Sequence, residues 1–143
     1  MTLTLDQASR IVDAALAEGQ KRDLHPLCVV VLDNGGHALA LKRDQRASIS
    51  RPEIATAKAA GCLGMGFGGR EIAKRAQAVP GFIAALNGIF PKGILPVPGG
   101  VLIRDAEGRL AGAVGISGDT SDNDEICAVV GVEAAGLMAD TGA

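Results

Sequence analysis

Asp119, Asp124 and Glu125 stand close together late in the sequence, and any of them can move a proton if burial raises its pKa. Arg43 and Arg51 stand close together earlier, and a guanidinium grips a carboxylate bidentately. Pro98-Gly99-Gly100 and Ser117-Gly118-Asp119 are loops whose glycines allow a ligand close to the backbone. His25 precedes Pro26 beside the first of two expected hairpins. These residues predict a pocket for a small anionic molecule, such as an oxo- or hydroxy-carboxylate. Proton transfer α to a carbonyl, as in isomerisation or hydration, needs only such parts and no cofactor.

Other chemistries fit the residues less well. Gly64-Met65-Gly66-Phe67-Gly68-Gly69 matches the dinucleotide glycine string, but that fingerprint must follow a strand, and this one follows a predicted helix. Gly115-Ile116-Ser117-Gly118 places its second glycine one residue too early for a nucleophile elbow. The acidic segment lacks the alternate-position spacing of a calcium loop, and acidic residues in a first helical turn also complement the dipole. Cys28, Cys62 and Cys127 form no Cys-x-x-Cys pair, so no metal site is expected and buried reduced thiols are the favoured reading.

The elements that must position these residues follow from patterning. Thr4-Leu5-Asp6-Gln7 reads as a capping box, and Ala8, Ile11, Val12, Ala15 and Leu16 carry a helix to about Arg22. Leu27 to Leu32 is a continuous apolar run suited to a strand covered on both faces. The Asn34-Gly35 signal turns it into a partner strand over His37 to Arg43, with His37 at the closed tip. Ser50-Arg51-Pro52-Glu53 has capping-box spacing and opens a second helix through Met65, with Ser50 or Arg51 as its cap. A helix from about Arg70 to Ala78 and a short apolar segment around Phe82 to Leu86 follow. Ile94-Leu95 reads as a short strand within a Pro/Gly-rich connection. A second hairpin spans Val101 to Arg104 and Leu110 to Ser117, then a polar loop to Asp124 and a last helix over Ile126 to Met138.

The order predicts an α+β domain, one antiparallel sheet with helices packed on it, as a single unit over residues 1–143. Both hairpins open toward a helix N-terminus, near Ser50 and near Ser121, where free N–H groups favour anions.

Composition narrows the partners. The chain has 143 residues, twenty glycines, three phenylalanines, and no tryptophan or tyrosine. Stacking platforms for single-stranded nucleic acid need rings, and duplex binding needs basic excess, whereas the net charge is −2. With 48% hydrophobic and 21% charged residues, the chain is not of the disordered class. No run approaches the length of a membrane span and no secretory signal is visible, so a cytoplasmic protein without membrane partners is expected.

Several blocks now resemble the GlcG/HbpS family: Val31 to His37, Ser50-Arg51-Pro52-Glu53-Ile54-Ala55 to Lys58-Ala59, Pro98-Gly99-Gly100, and Gly115-Ile116-Ser117-Gly118 with Asp122-Asn123-Asp124-Glu125. They run in family order from about residue 6 to 139. The resemblance implies a profilin-like α/β/α domain with a five-stranded antiparallel sheet, assembled into homo-oligomers, often octamers. It also implies haem as a ligand, and a relationship to the domain found on a cobalamin adenosyltransferase. Arg43 is followed directly by Asp44 and then Gln45, where members commonly carry Arg-x-Asp.

Three functions remain open on these residues. One is a tetrapyrrole-binding protein, with His25, His37, Cys28, Cys62, Cys127, Met65 or Met138 as axial ligand. Another is a cofactor-independent isomerase or lyase of a small carboxylate. The third is a non-catalytic accessory protein that senses a metabolite.

Overall fold

The computed structural model describes residues 2–143. Helix α1 (Leu5–Lys21) begins with the expected capping box: Gln7 N–H donates to Thr4 Oγ1 at 3.1 Å, and Thr4 N–H donates to the Gln7 side chain at 3.0 Å. Then follow β1 (Cys28–Asp33), β2 (Ala38–Arg43), α2 (Arg51–Met65), α3 (Gly69–Ala78) and α4 (Pro80–Ala85). After a 3-10 turn at Leu86–Gly88 come β3 (Gly100–Arg104), β4 (Leu110–Ser117), α5 (Ser121–Ala134) and β5 (Met138–Asp140). The strands form one antiparallel sheet in the order β2-β1-β4-β3-β5.

Both sheet faces are covered, which gives three α/β/α layers. Val29 and Val31 point into a core with Ile11, Val12 and Val132 of α1 and α5. Cys28, Val30 and Leu32 point into a second core with Ala55, Ala59 and Cys62 of α2, and with Ile72 and Ile83. That double cover is why β1 reads as an unbroken apolar run. Helix α2 lies against the sheet because two strand residues lack a Cβ. A Cβ on Gly115 would overlap the Ala55 carbonyl, and one on Gly100 would overlap the Lys58 carbonyl and stand 2.7 Å from Cys62 Sγ.

The structure corrects several expectations. The first turn is built by Asp33, whose Oδ1 accepts from Gly35 and His37 N–H, and the left-handed residue is Gly36, not Asn34 or Gly35. Ser50 makes no side-chain capping bond: its backbone is helical (φ −90, ψ −2) where a capping residue is extended, and Pro52 has no N–H to offer; Arg51 is the first helical residue. Ile94-Leu95 is not a strand: Ile94 plugs the core against Gly61, and its N–H donates to the Asn87 side chain. The last helix starts five residues before Ile126, at Ser121, capped by Thr120, and stops at Ala134. Met138 belongs instead to β5, which pairs with β3 on the far edge.

Candidate functional site

Pairing of β1 with β4 brings the open ends of both hairpins together. Arg43, Cys28 and Ser117 stand in one row across β2, β1 and β4. The Gly99 carbonyl accepts from Ile116 N–H at 3.0 Å, which sets Pro98-Gly99 beside the end of β4. The N-termini of α2 and α5 flank the same edge, since Arg51 and Ser121 open those helices.

The two arginines have different employment there. Arg43 Nη1 donates to the carbonyls of Asp44, Gln45 and Ala47, clamping the loop that leaves β2. Arg51 is half-buried and donates through Nη1 to Ser117 Oγ at 2.9 Å and through Nε to Ser48 Oγ at 3.2 Å. Every other arginine is held by a carboxylate. Among the described residues Arg51 alone among the arginines has only neutral hydroxyls as partners.

The three carboxylates separate as well. Asp119 is pinned by His25 N–H at 2.9 Å, Thr120 N–H and Asn123 Nδ2 at 2.8 Å each, and these donors hold its pKa below the ordinary carboxylate value. Glu125 is bound bidentately by Arg70 of α3, at 3.0 and 2.9 Å, and Arg70 also holds Asp122. Asp124 is 1% exposed and pairs with Lys58 Nζ at 3.1 Å, while its Oδ1 accepts from Asp119 N–H. Burial raises its pKa, against the opposing pull of Lys58.

Lys58 and Arg70 therefore belong to this region although sequence reasoning passed over both. Lys58 sits seven residues after Arg51 on α2, and its spacing from Arg51 and Ala55 was the one signal that it faces the sheet. Gly99 (φ +111) lies over it, and a Cβ there would stand 2.9 Å from Nζ. Gly118 packs on the Pro26–Leu27 backbone, where a Cβ would be 2.9 Å from Leu27 Cα. His25 is exposed beside Asp119.

An open concavity of ≈ 310 Å³ lies elsewhere, between α2, the tip of the β1–β2 hairpin and the Phe90–Lys92 loop. None of its lining residues is a histidine, cysteine or methionine. All three cysteines are free and buried. His37 is exposed by the hairpin tip, and Met138 lies half exposed on the edge strand β5. Within one chain, then, the cavity supplies apolar walls without an axial ligand for haem iron. His25, beside Arg51's end of the sheet, is the candidate ligand that accompanies a cation there. Among the described residues no helix is long and apolar enough to cross a membrane.

Fold and site together define an α/β/α domain that sets an arginine and a buried lysine–aspartate pair at the open edge of an antiparallel sheet. The chain belongs to the HbpS-like family, whose model, described as haem degrading protein HbpS-like, matches residues 3–133. It is similar to the crystal structure of HbpS, at 29% identity over 93% of this chain and 89% of that one, with a TM-score of 0.80. Similarity to Klebsiella pneumoniae protein ORFY is 26% over 95% of this chain and 92% of that one, with a TM-score of 0.84. The PduOC:heme complex shares the fold at 22% identity, covering 96% and 97% of the two chains, with a TM-score of 0.84. No curated protein matches the chain.

Proposed function

We propose that the protein binds a small organic anion, an oxo- or hydroxy-carboxylate, at the edge formed by Arg51, Gly99, Ser117 and Gly118. The observation that carries this reading is the state of Arg51, among the described residues the one arginine with neither a carboxylate nor a backbone carbonyl to hold it. A half-buried guanidinium bonded only to hydroxyls is a receptor for a carboxylate. Arg43, which serves its own loop, is not the gripping residue in this reading. If the bound acid undergoes isomerisation or hydration, Asp124 is the proton acceptor the surroundings favour. It is the buried carboxylate with a raised pKa, whereas Asp119 is pulled the other way and Glu125 is neutralised by Arg70. The three buried thiols support a reducing, cytoplasmic setting. A homo-oligomer fits the exposed apolar residues Ile49, Phe82 and Ile89.

A thermal-shift series over short carboxylates tests the reading. Stabilisation that saturates, and that is lost in Arg51→Ala while the circular-dichroism spectrum is kept, supports it. No shift with any carboxylate removes it.

Haem binding is the second reading, favoured by the description of the family itself. In that case Arg51 would hold a propionate and His25 would ligate the iron, which supplies axial coordination chemistry when the group is bound. Haemin titration separates the two: a Soret shift that saturates at a stoichiometric ratio and is lost in His25→Ala supports haem.

A further inference from the structure

The Lys58–Asp124 pair is a costly way to join two helices. Both side chains are almost fully enclosed, at 4% and 1% exposure, and a buried ion pair is often no more stabilising than an apolar pair of the same volume. Moreover, the ammonium is incompletely bonded. Among the described residues its acceptor is Asp124 Oδ2, and its remaining N–H donors have none. Buried donors without partners are rare in folded proteins, and a ligand oxygen is a natural partner for one.

On one side the ammonium is covered by a residue that has no side chain. Residue 99 covers the ammonium, and it is a glycine with φ +111 whose Cβ would stand 2.9 Å from Nζ and 3.2 Å from the Ile116 carbonyl. Arg51 lies two helical turns earlier on α2 and reaches Ser117, the residue after Ile116. Two cations of one helix thus converge on the same stretch of β4. Only Arg51 lacks a counter-charge, since Asp124 neutralises Lys58.

Building on the anion reading above, we propose that Lys58 is the specificity-determining residue of this site: it receives the oxo or hydroxyl oxygen next to the carboxylate that Arg51 holds. With Lys58 neutralised by Asp124, Arg51 is the one cation of α2 left to hold a carboxylate, which suits a monocarboxylate ligand. In binding, as distinct from any later proton transfer, Asp124 positions Lys58, because its Oδ1 is fixed by Asp119 N–H and its Oδ2 aims the ammonium.

The experiment compares pyruvate and L-lactate with propionate, which has the same carbon skeleton and lacks the second oxygen. Calorimetry on the wild-type protein should give pyruvate or lactate at least about tenfold tighter than propionate, because a site built to bond an oxygen rejects the analogue without it. Lys58→Met should bring the three acids to one affinity, close to that of propionate on the wild type. Should that variant misfold through its unpaired aspartate, Lys58→Met combined with Asp124→Leu removes both charges and keeps the volume apolar. Gly99→Ala should lose the same discrimination. Equal affinity of wild type for pyruvate, lactate and propionate, lost in Arg51→Ala, overturns the role of Lys58 and leaves the anion site standing. Discrimination that survives in the double variant overturns it too. Absence of binding by all three acids overturns both.

Discussion

Arg51 Nη1 donates to Ser117 Oγ at 2.9 Å, joining residues 66 positions apart at the start of α2 and the end of β4. The contact exists because β1 pairs with β4, so that both hairpins open on one edge. Arg43 stands in the same row as Ser117 and yet serves the backbone of its own loop. The two arginines should therefore separate in experiment. Arg51→Ala is expected to weaken carboxylate binding by roughly 10–100-fold, the size of a charge-assisted bond, with little change in Tm. Arg43→Ala is expected to lower Tm and leave affinity near wild type. Binding isotherms and melting curves of the two variants check this, and the reverse pattern would assign the grip to Arg43.

Gly115 sits under α2 so closely that a Cβ would overlap the Ala55 carbonyl and stand 3.0 Å from Ala59 N. The obstacle is backbone, which cannot swing aside as a side chain can. Gly115→Ala should cost about 3 kcal/mol or more of stability, at the upper end of overpacking effects. Urea denaturation measures it. A loss below about 1 kcal/mol would mean that the helix shifts freely off the sheet.

These packing glycines also explain what the sequence could and could not convey. Thr4 and Gln7 announce their helix because a capping box is local, and β1 announces its double cover through an unbroken apolar run. Gly100 and Gly118 read as loop glycines and Gly115 as an ordinary strand residue, although each serves a close approach to backbone far away in sequence. The Gly64 to Gly69 cluster divides in the same way. Gly66 (φ +84) caps α2, Gly64 receives the Phe90 ring, and Gly68 and Gly69 meet the backbones of Thr141 and Val97. Lys58 was hidden by its type, since a lysine on an alanine-rich helix reads as a solvated charge. Strand β5 was hidden by its length of three residues and its partner on β3.

Asp119 predicts one limb of the acid profile. Its folded pKa lies below the ordinary aspartate value of 3.8, so the stability it contributes is present above 3.8 and is lost as pH falls through the folded value. Asp119→Asn should therefore show a shallower fall of Tm on the acid side of pH 3.8 than the wild type. The fall should not vanish, because Asp44 and Asp105 are lowered as well and titrate in the same window. Asp124 acts with the opposite sign: its raised pKa favours the folded state below 3.8 and that contribution is lost as pH rises through the folded value. An acid limb identical in Asp119→Asn would mean that its three hydrogen bonds do not persist in solution.

The cysteines offer a test that depends on the fold rather than on any ligand. Burial pushes Cys28 and Cys127 up to about 11 and Cys62 up to about 12, and all three side chains lie in the cores. A thiol reacts as its thiolate, so at pH 8 the native protein holds almost none of the reactive form, and the reagent cannot reach it in any case. Iodoacetamide should leave the folded protein unmodified over hours while labelling all three thiols within minutes in denaturant. Labelling under native conditions should then appear as all three sites together, because only global opening exposes both cores. Mass spectrometry resolves the pattern. Early modification of Cys62 alone would show that α2 lifts from the sheet by itself, which is the motion a ligand bound beside Lys58 would have to suppress.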